Sequence, residues 1–344
     1  MLTSINIRKI IAIFLVSLAL AVSCTRQPSS QSVVNSASKT PIILGYSSWA
    51  GWWPWAIAER EGLFAKHDAN VQLKWYDSYL ESMEALAAGQ IDGNCQTLND
   101  TISFAKDAVH GEVAVLVNDN SAGNDKIIAA AEIKTVPDLK GKAVAVEAGL
   151  VDDFLLSLVL EDAGMSRSAV EIVNAETGAA AQAFAAGLVD AVGAFPPFWQ
   201  VALEREGAHE LASSADYPGA IPDLLVVSQK LIDEQPQQVQ ALVDTWWDIR
   251  EFMIEHPDQA DAIMAERVGI SPDDMQLFKE GTDFFTIEEN LEAFSPGNSM
   301  KHMPFAAERM TEFMLNVEFI EEKPDLKAIL DDRFVKAYAK ANSS

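Results

Sequence analysis

The sequence predicts an α/β chain folded into two similar lobes, each a mainly parallel sheet wrapped by helices, facing each other across a cleft. Three observations carry this. An Ala-rich segment recurs with an offset of 98 residues, ALAAGQID at 85–92 and AFAAGLVD at 183–190. Short apolar strands alternate with amphipathic helices around both copies. About 300 residues follow the N-terminal leader, enough to bury two ordinary cores.

The leader places Arg8 and Lys9 before the apolar run 10–22, with small residues just ahead of Cys24. Charge, a short apolar core and a small-residue cleavage site in that order form an export signal over 1–23, and the run is too short for a spanning helix. The segment LAVSC at 20–24 resembles the lipobox of bacterial lipoproteins, with Ala21 where Leu is usual. That resemblance implies a lipidated Cys24, held in a membrane of the cell envelope and facing the periplasm or the cell exterior. A plain signal peptide is the alternative. Residues 24–40 are rich in Ser, Thr, Gln and Asn without apolar periodicity, and read as a flexible tether. The sixteen residues 25–40 reach roughly 20–25 Å as a random coil.

Cys95 is the one cysteine beyond Cys24, so the mature chain forms no internal disulfide and its fold rests on its core. We expect Cys95 to end a buried strand as an inert thiol. The formal net charge of −26 repels nucleic acid and anionic lipid, which removes both as direct partners and leaves an acyl anchor to hold the chain at a membrane.

In the body, 42–46, a helical segment ending at Gly62-Leu63, and 71–75 run parallel to 143–147, a helical segment ending at Gly164-Met165, and 170–174. Each half reads strand, helix, strand, helix, strand. In each repeat an Ala-rich helix meets a Gly suited to the helix C-terminus, then a β-branched residue and an Asp at the start of the next strand. Ligands of open α/β sheets sit beyond the carboxyl ends of the strands, which nominates loops 47–53, 77–82, 96–100 and 118–124 in the first half. In the second half the loops are 147–153, 176–178 and 195–199. Beyond residue 220 come a strand-like 224–228 and a run of helices. Val239, Leu242, Val243, Trp246 and Met253 share one helix face, so Trp246 and Trp247 are expected to pack, with this part covering the first lobe.

The segments GLFAKHDANVQLKWYDS (62–78), SMEALAAGQIDGNCQTLND (82–100), VPDLKGK (136–142) and AFAAGLVDAVGAFPPF (183–198) resemble the substrate-binding proteins of the nitrate, sulfonate, taurine and thiamine-precursor class of ABC importers. The resemblance covers most of 41–230. It implies a type II periplasmic-binding-protein fold with hinges near 120–126 and 221–223. Lobe 1 would comprise 41–122 and 223–344, and lobe 2 123–222, closing as a monomer on one small-molecule ligand for delivery to permease and ATPase subunits. Many relatives carry Trp-Asp/Glu-Pro where this chain has Phe195-Pro196-Pro197, a departure that bears on the substrate class.

Trp49, Trp52, Trp53 and Trp55 crowd the first loop, and amphipathic rings at a cleft suit stacking or cation–π contact. Trp49 and Trp52 are the expected ligand contacts, while at least two of the four, Trp55 among them, pack the adjacent helix. Candidate hydrogen-bonding groups are Ser47, Ser48, Ser78, Gln96, Thr97 and Asn99, with Gly149 at a helix start and Phe195 and Trp199 opposite. The acids are Asp77, Asp100, Glu147, Asp152 and Asp153; as helix N-caps they could equally face water. No Lys or Arg falls in these loops. The expected ligand is therefore small, nitrogen-bearing and neutral, zwitterionic or cationic, with a sulfonate, taurine or nitrate-type anion as the alternative.

Enzymatic chemistry finds little support. His67, His110, His209, His256 and His302 lack metal-ligand spacing, and no nucleophile elbow, P-loop or dinucleotide motif occurs. No cofactor or metal is expected. Pyrimidine-precursor synthases resemble the same family but carry a cysteine-rich motif and an active-site histidine. A lipoprotein that presents ligand to a receptor would use the same body.

Overall fold

The computed structural model describes residues 40–342. Cys24, the leader 1–23 and the tether up to residue 39 lie outside the described residues.

Eleven strands are described: β1 Ile42–Tyr46, β2 Val71–Trp75, β3 Gly93–Thr97, β4 Val113–Ser121, β5 Lys126–Ala129, β6 Ala143–Val146, β7 Glu171–Asn174, β8 Ala191–Ala194, β9 His209–Ser213, β10 Pro222–Val227 and β11 Thr282–Phe284. They form two sheets, ordered β11-β4-β10-β3-β1-β2 and β7-β6-β8-β5-β9. The sequence repeat becomes a structural one. β2-β1-β3 are parallel in the first sheet and β7-β6-β8 in the second. Gly93 and Asn94 pair with Leu44 and Gly45; Ala191 and Val192 occupy the same place against Val144 and Ala145.

Parallel neighbours need a crossover long enough for a helix. Tyr79–Ala87 and Thr177–Ala185 serve that purpose in the two repeats. Both end in the same way. The Gln90 N–H reaches Ala85 O and the Gly89 N–H reaches Leu86 O; in the second copy the donors are Leu188 and Gly187, the acceptors Ala183 and Phe184. Gly89 and Gly187 take φ of 68° and 75°, the left-handed conformation that closes a helix and favours glycine.

The sheets are mixed, because the chain passes from one to the other between β4 and β5 and returns between β9 and β10. A strand that leaves one sheet for the other has no helical crossover to bring it back parallel. β10 accordingly runs antiparallel to both β3 and β4, and β5 antiparallel to β8 and β9. β4 and β10 are buried along their whole length.

The C-terminal helices pack against the helices of the first sheet. Pro236–Glu255 buries Val239, Leu242, Val243, Trp246 and Ile249. The Trp246 ring lies 5.2 Å from Trp55, which also stacks on Phe64, and Trp247 stacks on Tyr338. Trp53 is fully buried edge-on to Phe278. Two of the four crowded indoles, Trp53 and Trp55, are therefore core. Cys95 sits mid-strand in β3 rather than at its end, and burial pushes its thiol well above the usual range. Among the described residues no helix is long and apolar enough to cross a membrane.

Candidate functional site

Between the two sheets lies a void of about 10 Å³ bordered by Ser48, Trp49, Trp52, Tyr79, Thr97, Asp125, Val151, Phe195 and Asp223. That is room for about one water, and the two lobes are in contact around it. Its aromatic wall is continuous. Trp52 is 6.3 Å from Trp49 and 5.3 Å from Tyr79, and Tyr79 is 6.4 Å from Phe195 across the cleft. The Ser48 hydroxyl also spans the cleft, donating to Pro196 O at 3.2 Å.

Each wall residue is held from behind. The Tyr79 hydroxyl donates to Asp100 at 2.9 Å and accepts from the Thr97 N–H. Thr97 caps the helix Leu98–Phe104 and donates to the same Asp100 carboxylate at 2.8 Å. The Trp49 indole N–H donates to Asp119 at 3.0 Å. Gly51 lets the tryptophan loop approach that carboxylate: a Cβ there would lie 1.7 Å from Asp119 Oδ2.

The electrostatics of the site are those of excess acid. Asp100, Asp119, Asp125 and Asp223 are all buried. Burial raises Asp100 and Asp125 to about 7. Asp119 and Asp223 are cross-strand partners on β4 and β10. Burial pushes both up, and the charge of Asp119 raises Asp223 further. Among the described residues no N–H or O–H donor reaches Oδ2 of Asp125, Asp119 or Asp223, so the last two can answer each other only by sharing a proton. Arg250 is the cation that Asp119 senses, yet it stands over the Phe284 ring and does not border the void.

The helix Val151–Asp162 brings its first residue, Val151, to the void, and two loop N–H groups ahead of it are taken by its own acids. Asp152 accepts from the Glu147 N–H at 2.9 Å, and Asp153 from the Gly149 N–H at 2.8 Å. Arg167 is spent on Asp153, which it grips at 2.8 and 2.6 Å.

Residues 50–260 match the family described as NMT1/THI5 like. The chain belongs to that family. It is 26% identical over 247 residues to the taurine-binding periplasmic protein of Escherichia coli, covering 69% of this chain and 76% of that one. Two solved structures share the fold. The alkanesulfonate-binding protein SsuA of Xanthomonas axonopodis pv. citri, bound to MOPS, superposes with a TM-score of 0.70 at 18% identity, covering 85% of this chain and 98% of that one. The periplasmic nitrate-binding protein NrtA of Synechocystis PCC 6803 gives 0.70 at 12%, covering 88% and 89%. The fold is that of the two-lobed periplasmic binding proteins, and the relatives this NMT1/THI5-like chain resembles are named as binding proteins.

Within this NMT1/THI5-like protein, the structure gathers Ser48, Trp49, Trp52, Thr97 and Phe195 around the void. Ser47 is buried beside them with its hydroxyl unpartnered, and Asn99 bonds Asp100. The other nominated residues have different partners. Gln96 turns to Thr101 and Glu112, Ser78 caps the helix Tyr79–Ala87, and Glu147 accepts from Thr177. Gly149 is engaged by Asp153. Asp77 is exposed and holds the Trp75 indole, and Trp199 lies edge-on to Phe278 with the Lys126 ammonium over its ring. Sequence reasoning missed Tyr79, Asp125, Val151 and Asp223. Tyr79 lay inside a nominated loop, 77–82, and Asp125 one residue past another. Asp223 gave no local signal, because β10 comes from the return crossing.

Proposed function

We propose that this chain captures a small organic ammonium, or a flat nitrogen heterocycle protonated on binding, outside the cytoplasm and delivers it to the permease of an ABC importer. One observation carries the reading: Asp125 and Asp223, short of donors, border the same void as four aromatic rings, with no Lys or Arg among its lining residues. Carboxylates supply the counter-charge, and the faces of Trp49, Trp52 and Tyr79 supply cation–π attraction. A sulfonate meets the opposite environment, since the loop N–H groups of Glu147 and Gly149 are already bonded to Asp152 and Asp153 and two further carboxylates, Asp125 and Asp223, border the void.

The second reading, an anion such as a sulfonate, rests on what the taurine- and alkanesulfonate-binding relatives are named for. A thermal-shift screen separates the two. Aromatic amines and amidines are expected to raise Tm, with about 2.7 kcal/mol of stabilisation at a hundredfold excess over Kd, and to shift tryptophan emission. Stabilisation by simple alkanesulfonates and by no amine would establish the anion reading instead.

We further read Cys24 as the lipidated N-terminus that keeps the protein at a membrane. Cys24→Ala should move the protein from the membrane fraction to the soluble one; unchanged fractionation would leave the leader as a plain signal peptide.

A further inference from the structure

The helix Pro272–Glu280 leads directly into β11, which pairs with β4, so it belongs to the first sheet. Its side chains nevertheless meet the second. The helix Phe198–Leu203 lies between β8 and β9 of that second sheet. From it, Trp199 sets its ring edge-on to Phe278 at 5.4 Å, and Gln200 Nε2 donates to Asp274 Oδ1 at 2.6 Å.

Both contacts are supported from either side. Phe278 is fully buried and also meets Trp53 edge-on at 5.8 Å, in the loop that brings Trp49 and Trp52 to the cleft. The Phe278 carbonyl accepts from Asn124 Nδ2 in the crossing between β4 and β5, where a Cβ on Gly281 would lie 2.5 Å from Asn124 Oδ1. On the other side, the Lys126 ammonium stands 5.2 Å from the Trp199 ring. Asp274 Oδ2 accepts from Ser271 Oγ at 2.6 Å, and the bonds from Ser271 and Gln200 hold its carboxyl below the ordinary range, as a charged acceptor. The helix thus touches a cleft loop, a crossing and the opposite lobe, and none of these contact residues borders the void.

We propose that the helix Pro272–Glu280 is a clasp between the lobes: Trp199 and Gln200 dock on Phe278 and Asp274, and this docking, outside the ligand site, sets how readily the lobes part. An edge-to-face ring pair and a charge-assisted hydrogen bond stabilise only the arrangement in which the two helices meet. Affinity for any solute held between the lobes scales with the fraction of chains in that arrangement. Trp199 and Gln200 are therefore positioning residues for binding, whichever solute the cleft takes.

Pulsed electron–electron double resonance measures the separation of the lobes directly. Spin labels are placed on Asp107→Cys with Glu206→Cys, and in a second pair on Glu84→Cys with Glu171→Cys, exposed positions with one of each pair beside either sheet. Cys24→Ser removes the competing thiol, and Cys95 is fully buried. Gln200→Glu sets a second carboxylate against Asp274 and is expected to raise the ratio of long to short distances about tenfold. Gln200→Ala should act in the same direction by less. The exchange Gln200→Glu/Asp274→Asn again opposes a donor to an acceptor and should restore the wild-type distribution, a rescue that general damage to the fold would not allow. A Gln200→Glu distribution identical to the wild type's in both label pairs would overturn the clasp, as would an exchange that fails to reverse it. Failure of the ammonium reading is separate, because no solute enters the measurement.

Discussion

Asp223→Asn is expected to weaken binding of an aromatic ammonium about a hundredfold while leaving the ligand-free protein at least as stable as the wild type. The two effects have one cause. In the empty closed cleft Asp223 is a burden, because it faces Asp119 across the β4–β10 ladder and must hold a proton to do so. Asparagine keeps the shape and removes the like-charged neighbour. In the occupied cleft the same carboxylate becomes the counter-ion, and losing one member of a desolvated charge pair costs about 2–5 kcal/mol. Asp125→Asn should act in the same direction. Asp77→Asn is the control, since Asp77 is exposed and bonded to Trp75, away from the void. Fluorescence titration reads the affinities directly. Unchanged affinity in both Asp223→Asn and Asp125→Asn would remove the carboxylates from the site and the ammonium with them.

Local signals made the architecture legible. The 98-residue near-repeat encodes one strand–helix–strand–helix–strand unit, and both copies end their Ala-rich helices on the same left-handed glycine and the same pair of hydrogen bonds. The aromatic half of the site was legible for a related reason: Trp49 and Trp52 sit in the loop after the first strand, where α/β topology puts ligands. The acidic half was not. Asp125 and Asp223 lie on the two crossings between the sheets, 98 residues apart, and come together only when β4 pairs with β10. That pairing is antiparallel and belongs to neither repeat unit, so no periodicity announces it. Conversely, Gln96 and Glu147 sit at the right ends of their strands, but their side chains are held by Glu112 and Thr177. Strand position locates a residue at the cleft; the hydrogen-bond partner decides whether it is free to serve there.

The buried acids also set how the protein responds to pH. Asp100 and Asp125 titrate at about 7 in the folded chain, and Asp119, Asp223 and Glu147 are raised as well, all principally by burial. In an unfolded chain aspartates titrate near 3.9. Below about pH 4 both forms hold these protons, so the groups leave stability unchanged. From there to about pH 7 the folded form alone holds the protons of Asp100 and Asp125, so stability falls as the pH rises. Parting the lobes to hydrate the carboxylates relieves that cost. The ligand-free protein should therefore melt lower at pH 8 than at pH 5, and its radius of gyration should grow as the closed form empties. An ammonium reverses the balance, because it replaces the protons it expels. Its affinity should rise between about pH 6 and 8 by up to tenfold per unit for each proton released. Calorimetry in two buffers of different ionisation enthalpy counts those protons. An affinity that is flat or falls with pH would mean that the ligand does not meet these carboxylates, whereas an anion that requires them neutral would bind more weakly as the pH rises.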